Sequence, residues 1–420
     1  MYKIGRLKNG IRVVTEKTDY VKSVSLGVWV GAGSAFENIS NNGISHFIEH
    51  MLFKGTKKRS AGEIAKCMDS VGGQLNALTA KEYTCFYAKT LTQHFPLAAD
   101  VLSDMLTGSR FSVDCIETER SVIGEEINMC EDTPEDNIHD RLSSLMWQGS
   151  SLGYPIAGTT ETIAGINREK MLGYMNDFYC GENIVICAVG NFDEKKMLDC
   201  LENCFGKIKP EGKKTGNIGK LSVGRSAEII KKDIEQCHIC IGIEGLERNN
   251  LNFYDLLIIN ALFGGNMSSR LFQKVREEKG LAYSIYSYAN SYKNNGSLVI
   301  YAGLSANRLC ETLEIINREA AELLKNGLKR EEIEVAKVQM KSSLVMGLEG
   351  TSSRMSSYGR SLLFDNNIKT LDSIIEQIDK VDFNSVNETI ERVFNSDKLC
   401  LAALGRVEQN EGELLDILNF

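Results

Sequence analysis

A repeat with an offset of 215 residues is the feature that most limits how this chain can fold. Residues 183–190, Asn-Ile-Val-Ile-Cys-Ala-Val-Gly, resemble residues 398–405, Lys-Leu-Cys-Leu-Ala-Ala-Leu-Gly. The same offset aligns residues 26–28 with residues 241–243. Two matches in one register favour an internal duplication. We therefore predict two related domains in the 420 residues, each large enough to bury its own core.

Short segments of alternating apolar character predict strands, and longer segments with apolar residues three and four apart predict helices. The predicted strands are 24–31, 183–190, 237–243, 284–288 and 298–302, and the predicted helices are 44–53, 61–71, 115–131, 313–325 and 330–348. Strands come before, between and after helices. This order favours an α+β fold in which each domain has a mainly antiparallel sheet packed with helices.

A segment rich in lysine and glycine separates the two predicted domains. It runs from Lys207 to Lys220 and contains Pro210, a composition typical of linkers. We predict an N-terminal domain at 1–206, a linker at 207–220 and a C-terminal domain at 221–420.

Charge and hydropathy exclude several classes of protein. The net charge of -8 and the lack of a long Lys/Arg stripe argue against a protein that binds nucleic acid. No apolar run reaches the length that spans a bilayer, so we expect no contact with a membrane. Residues 1–13 carry charges and lead directly into a strand-like segment. We therefore expect no leader peptide, and a soluble, cytoplasmic protein.

The cysteines give little sign of disulfides or of a metal site. There are 12 of them, and in a chain of this size without a leader we expect reduced thiols. The one Cys-x-x-Cys sequence is Cys237 to Cys240, in a predicted strand. Because residues three apart on a strand point to opposite faces, these two thiols are not expected to share a metal.

The residues that carry chemistry are centred on the run His46-Phe47-Ile48-Glu49-His50. Residues i and i+4 of a helix lie on one face, so both imidazoles can bind one metal ion. Glu49 shares that face, where a carboxylate can take a proton from water activated by zinc. The alternative is a chance pattern of two histidines and one acid on a surface helix.

The neighbouring residues favour the metal site. Five apolar side chains surround the motif on nearly all sides, which predicts that this helix is buried. They are Phe47, Ile48, Met51, Leu52 and Phe53. Buried histidine and glutamate side chains need polar partners, and one metal ion satisfies all three together.

A catalytic zinc ion normally has three protein ligands and one open position. Candidates for the third ligand lie in the predicted helix 115–131. Glu119 and Glu126 are seven residues apart there, two helical turns, and share a face. Glutamate is common on exposed helices, and spacing alone does not select Glu126 from its neighbours.

The motif resembles that of the pitrilysin/insulinase zinc metallopeptidases, the inverzincins, in which HxxEH is followed by a glutamate in a Glu-Glu-Ile context. The length is that of the short members, and the chain is most similar to bacterial relatives of the mitochondrial processing peptidase β subunit. The resemblance implies one zinc ion per chain, bound by His46, His50 and Glu126. It also implies that Glu49 is the general base and that Glu119 orients a ligand histidine.

The likeness extends to two further segments. Residues 72–83 resemble the family's edge strand, which implies that substrate backbone adds as an extra strand at Asn76 and Ala77. In the second half, residues 268–272 and 276–283 resemble the family's substrate-binding segment. This likeness implies that Arg276 and Tyr283 hold the substrate and stabilise the oxyanion. Without the resemblance, composition alone would favour Arg276 in a surface salt bridge and Tyr283 as an aromatic residue of the core.

The repeat also predicts that only the first domain carries the metal chemistry. The offset of 215 places Ala261, Gly264 and Gly265 where the first domain has its two histidines and glutamate. The second domain is then inactive and contributes substrate-binding residues. We expect its two glycines to serve tight packing rather than a phosphate-binding loop.

The metal-binding motif and the family resemblance together imply a zinc-dependent endopeptidase that cleaves short or unfolded peptides; the resemblance implies that they bind as an added β-strand inside a chamber. Longer family members close the chamber with a second half, so we predict a homodimer or a heterodimer with a related chain. Arg276 and Tyr283 would then face the zinc of the opposite subunit. Two alternatives stay open: a non-catalytic or partner-dependent subunit with a structural role, and a hydrolase that acts on other substrates. Mn²⁺ or Co²⁺ could also occupy the same ligands.

Overall fold

The structure of the chain, a computed structural model, describes residues 2–213 and 216–420. They form two units, neither of which is continuous in sequence. Unit 1 comprises Met1–Asn128, Tyr154–Asn217 and Val345–Lys369, and unit 2 comprises Met129–Gly153, Ile218–Leu344 and Thr370–Phe420. Each unit contains one sheet packed with helices, which confirms the predicted α+β fold.

The strands form two mainly antiparallel sheets. Sheet 1 contains β1 Tyr2–Arg6, β2 Arg12–Lys17, β3 Ser23–Val30, β4 Gln74–Thr79, β5 Thr84–Leu91 and β6 Ile184–Gly190, in the order β1-β2-β6-β3-β5-β4. Sheet 2 contains β7 Ser226–Lys231, β8 Gln236–Glu244, β9 Ala282–Ser291, β10 Gly296–Ser305 and β11 Leu399–Gly405, in the order β7-β11-β8-β10-β9. Among the described strands, two neighbouring pairs are parallel, β2–β6 and β7–β11, and the other pairs are antiparallel.

The two sheets share one topology once β1 is set aside. The strands β2, β6, β3, β5 and β4 of sheet 1 correspond in order to β7, β11, β8, β10 and β9 of sheet 2. The strands β6 and β11 begin and end 215 residues apart, as the repeat predicts. The internal duplication is therefore confirmed in the fold.

Helices cover the sheets. They are α1 Ile44–Leu52, α2 Ala61–Asp69, α3 Phe95–Gly108, α4 Val113–Asp132, α5 Pro134–Met146, α6 Thr160–Ala164, α7 Arg168–Phe178, α8 Glu194–Phe205, α9 Phe253–Phe263, α10 Leu309–Asn326, α11 Arg330–Gly347, α12 Thr351–Asp365, α13 Leu371–Lys380, α14 Phe383–Val393 and α15 Glu411–Ile417. All five predicted helices are present, as α1, α2, α4, α10 and α11. Among the helices of the described residues, none combines the length and the apolar character needed to cross a bilayer.

Each sheet takes one helix from the other half of the sequence. Helix α12 packs on sheet 1, where Met355 and Trp29 lie in one buried cluster. Helix α5 packs on sheet 2, with Met146 seated against Gly242. Because of these two helices, the two compact units do not follow a single division of the sequence at 207–220. The predicted boundaries of the two domains stay a prediction. The cause of the difference is physical: an apolar helix face shows that a helix is covered, but not by which sheet.

The two faces of β8 test the prediction for its cysteines. Cys237 lies in the main core of unit 2. Cys240 lies on the other face, with Sγ 3.3 Å from Nδ1 of His139 on α5. The two thiols point to opposite faces of the strand, as predicted.

Candidate metal centre

Helix α1 is buried inside unit 1. Its apolar residues Phe47, Ile48, Met51 and Leu52 are each no more than 1% exposed, which confirms the predicted buried helix. The remaining side of the helix carries His46, Glu49 and His50. This side faces residues of α4 and β4, so the polar groups of α1 meet those two elements.

Three side chains converge on one point beside α1. His46 Nε2 lies 3.6 Å from Glu126 Oε1, and His50 Nε2 lies 3.6 Å from Glu126 Oε2. The centroids of the two imidazole rings are 4.6 Å apart. One nitrogen or oxygen atom from each of the three residues lies within 4.8 Å of the other two. The structure thus brings together the three residues predicted to be metal ligands.

This donor set fits a zinc ion. Zinc binds imidazole nitrogen and carboxylate oxygen at about 2.0–2.2 Å, so tetrahedral neighbours lie roughly 3.4 Å apart. The observed separations of 3.6 Å are close to that value. Burial, aided by the neighbouring His50, lowers the pKa of His46 to about 4. Its imidazole is therefore neutral at pH 7, which is the form that binds metal.

Glu119 and Lys54 support His50 on the side away from Glu126. Glu119 is 3% exposed; its Oε2 lies 3.2 Å from His50 Nδ1 and its Oε1 lies 2.8 Å from Lys54 Nζ. A proton on Nδ1 shared with this carboxylate leaves Nε2 free to bind metal. Lys54 provides the positive charge that a buried carboxylate needs. The sequence does not point to Lys54, because a lone lysine carries no signal of its partner.

Glu49 lies next to this cluster. Its carboxylate accepts a hydrogen bond from Thr79 Oγ1, which β4 presents to α1. Burial raises the pKa of Glu49, while the Thr79 hydrogen bond and the nearby His50 act to lower it. A partly buried carboxylate at this place suits a base that takes a proton and later returns it. The sequence placed Thr79 only in the edge segment and did not reveal this contact.

Strand β4 lies at the edge of sheet 1, beside α1. Just beyond it, the Ala80 N–H donates to the Tyr83 carbonyl at 2.8 Å. Because antiparallel pairs alternate, the backbone groups of Ala77 point away from β5 toward the open edge. The Ala77 N–H donates instead to Asn76 Oδ1 at 2.8 Å. The predicted substrate-binding pair Asn76 and Ala77 thus lies on an open sheet edge.

Arg276 and Tyr283 lie together in unit 2. The guanidinium carbon of Arg276 is 5.2 Å from the Tyr283 ring centroid and 4.8 Å from that of Phe272. Arg276 belongs to a π-helical turn at Phe272–Glu277, a widened turn that often occurs at functional sites. Tyr283 is 78% exposed, so it is not a core aromatic.

The motif has no equivalent at the matching place in unit 2. Helix α9 ends at Phe263, and Gly264 and Gly265 follow. A Cβ on Gly264 would lie 2.6 Å from Ser287 Oγ, and one on Gly265 would lie 2.9 Å from Asn260 O. The two glycines therefore serve close packing, as predicted. Among the described residues, the metal-ligand cluster is that of unit 1.

The arrangement is a buried helix with an HxxEH sequence whose two histidines meet a distant glutamate, and HxxEH is the inverted form of the HExxH zinc motif. Residues 12–160 match the family described as Insulinase (Peptidase family M16). Residues 165–340 match the Peptidase M16 inactive domain. The chain belongs to the insulinase family, peptidase family M16.

Known proteins resemble the chain over nearly its whole length. The "Uncharacterized zinc protease YmxG" of Bacillus subtilis is 46% identical over 390 residues, which cover 93% of this chain and 95% of that protein. A crystal structure of a protease from Helicobacter pylori has 20% identity and a TM-score of 0.90, covering 96% of this chain and 99% of that one. A chain of complex III2 from Candida albicans has 23% identity and a TM-score of 0.82, covering 100% of both. At these identities the two structures show a shared fold.

Proposed function

We propose that this chain is a zinc-dependent endopeptidase that cleaves short or unfolded peptides. The observation that carries the proposal is the convergence of His46, His50 and Glu126 on one point, with Glu49 beside them. Membership of a peptidase family and close similarity to a protein named a zinc protease support it.

The residues divide the chemistry among them. His46, His50 and Glu126 would hold one metal ion per chain. When bound, zinc acts as a Lewis acid toward a carbonyl group and toward water. Glu49 takes the proton of the attacking water on its carboxylate and gives it to the leaving amine nitrogen. Thr79 keeps that carboxylate oriented through its hydrogen bond.

The substrate is an extended peptide that adds to the open edge of β4. The backbone groups of Ala77 face that edge, and a peptide lying there forms main-chain hydrogen bonds that do not depend on its sequence. An added strand requires an extended backbone. We therefore expect cleavage of short or unfolded peptides and resistance of compact folded proteins.

Arg276 and Tyr283 provide donors for the negative charge that develops on the carbonyl oxygen. We propose that they act across a dimer, of this chain with itself or with a related chain, which encloses the substrate in a chamber. In a homodimer, mixing Glu49→Gln with Tyr283→Phe chains should restore activity. Random pairing leaves one intact site in about half of the dimers, or about a quarter of wild-type activity. Mixtures no more active than the separate variants contradict the shared site.

The first test is cleavage of quenched fluorescent peptides by wild type and by Glu49→Gln, with zinc measured on both. We expect about one zinc per chain in each protein and cleavage by wild type alone. Small esters and amides in the same panel separate a peptidase from a hydrolase of other substrates. A wild type that binds zinc and cleaves no peptide favours the non-catalytic, structural role. We also propose that the protein is cytoplasmic, which cell fractionation can test.

A further inference from the structure

The two candidate ligand histidines are supported unequally. Nδ1 of His50 lies 3.2 Å from Glu119. Nδ1 of His46 is buried and has no hydrogen-bond partner in the part of the chain that the structure describes. The direction of His46 Nε2 therefore depends on the backbone that carries it. His46 lies in the first turn of α1, so the groups that hold this turn also hold the ligand.

The first turn of α1 begins without a side-chain cap of its own. The N-cap residue is Gly43, at φ 92°, and it has no side-chain acceptor. Glycine is required there, because the backbone is left-handed and a Cβ would lie 2.6 Å from Ala157 O. The free N–H groups at a helix start need acceptors, and at a buried start the protein must supply them.

Glu37 supplies these acceptors from the loop before the helix. Its Oε2 accepts hydrogen bonds from the Gly43 N–H at 2.7 Å and from Asn42 Nδ2 at 3.0 Å. Its Oε1 accepts one from the Ser45 N–H at 2.8 Å. Glu37 is 5% exposed, and burial raises its pKa, an effect that the hydrogen bonds oppose. Burying a carboxylate is costly, and the hydrogen bonds that Glu37 accepts offset that cost.

We propose that Glu37 is a positioning residue for the metal centre: its buried carboxylate fixes the first turn of α1 and, through that turn, the ligand His46. The inference rests on the proposed function only in taking His46 as a metal ligand. Ser45, whose N–H binds Glu37, directly precedes His46. A negative charge at the start of α1 also complements the helix dipole.

The test compares zinc dissociation constants, measured on the full chain by competition with a chromophoric chelator. Glu37→Gln keeps the size of the side chain. It offers one acceptor oxygen, whereas the three donors bind the two carboxylate oxygens of Glu37. It should weaken zinc binding by about tenfold or more. The visible spectrum of the Co²⁺-loaded protein should also change, because the ligand geometry shifts. Glu37→Asp keeps both oxygens on a shorter chain and should give an intermediate constant.

Asp382→Ala is the control for a helix cap lost elsewhere in the fold. Asp382 caps α14 by accepting from two backbone N–H groups, and α14 carries none of the proposed ligands. This variant should lower the unfolding temperature and leave zinc binding unchanged. An equal loss of zinc affinity in Asp382→Ala would show a general effect of stability and overturn the proposal.

Zinc binding by folded Glu37→Gln within about twofold of wild type, with an unchanged Co²⁺ spectrum, also overturns the proposal. If Glu37→Gln does not fold, Glu37→Asp decides the matter on the same two readouts. Failure of the proposed function gives a different result. A wild type that binds zinc yet cleaves no peptide refutes the peptidase and leaves the comparison of zinc constants valid.

Discussion

Replacing Thr79 by valine removes one hydrogen-bond donor and keeps the β-branched shape that suits a strand. Thr79 Oγ1 donates to Glu49 Oε2, from β4 to α1. A hydrogen bond to a charged group is worth about 1.5–3 kcal/mol. Glu49 is only partly buried, so we take the lower end of that range. About 1.4 kcal/mol corresponds to one pKa unit, and losing a donor to the charged form raises a carboxyl pKa. We therefore expect the pKa of Glu49 to rise by about one unit.

The assay is the pH dependence of kcat/KM for a quenched fluorescent peptide at saturating zinc. A base must be ionised to take a proton, so the acidic limb should move upward by about one pH unit. On that limb Thr79→Val should be about tenfold slower than wild type, with a smaller change on the plateau. An acidic limb that stays in place refutes the reasoning, either for the hydrogen bond or for Glu49 as the base.

The matched control is Thr90→Val. Thr90 lies on the neighbouring strand β5 and is 3% exposed. Its Oγ1 has no hydrogen-bond partner among the residues that the structure describes. This change of the same size should leave the pH profile of wild type intact.

Three further predictions concern ligand support, pH and packing. Lys54→Met removes the charge partner of buried Glu119 and should weaken zinc binding about tenfold, by chelator competition. In metal-free protein the pKa of His46 is lowered to about 4, whereas in the unfolded chain it is about 6.5. As pH falls from about 6.5, the unfolded chain therefore binds a proton that the folded protein does not, and the free energy of unfolding decreases. Urea unfolding should show wild type losing about 2 kcal/mol more than His46→Gln between pH 7 and pH 5. Gly359→Ala should lower Tm, because its Cβ would lie 2.5 Å from a buried indole. Gly173→Ala, on an exposed helix position with open space, should not.

Each of these has a clear opposite outcome. Lys54→Arg keeps the charge, so a loss of zinc affinity as large as in Lys54→Met would argue against the charge as the cause. Parallel pH curves for wild type and His46→Gln would contradict a buried neutral imidazole. Equal Tm values for the two glycine variants would contradict the tight contact at Gly359.

The sequence was most informative where the relevant residues lie in one helix. Helical spacing alone placed His46, Glu49 and His50 on one face, and the apolar residues between them predicted burial. The third ligand could not be derived in this way, because Glu119 and Glu126 share a face of another helix. The resemblance to a known family separated the two, and the structure places Glu126 at the Nε2 atoms and Glu119 at Nδ1.

Contacts between distant segments could not be read from the sequence. The hydrogen bond from Thr79 to Glu49, the ion pair of Lys54 with Glu119 and the cap that Glu37 gives to α1 all join separate elements. Each involves a common polar residue without a periodic pattern. The exchange of α5 and α12 between the sheets has the same cause, because an amphipathic pattern does not name its partner.

The most direct test of a zinc-dependent peptidase is a zinc titration of metal-free protein, with peptide cleavage as the readout. We expect no cleavage without metal, a linear rise in rate as zinc is added, and a plateau at about one zinc per chain. Glu126→Gln, which keeps the helix but removes the third ligand's charge, should need far more zinc or stay inactive. Full cleavage by the metal-free chain would contradict zinc dependence, and a Glu126→Gln titration that overlays that of wild type would contradict Glu126 as a ligand.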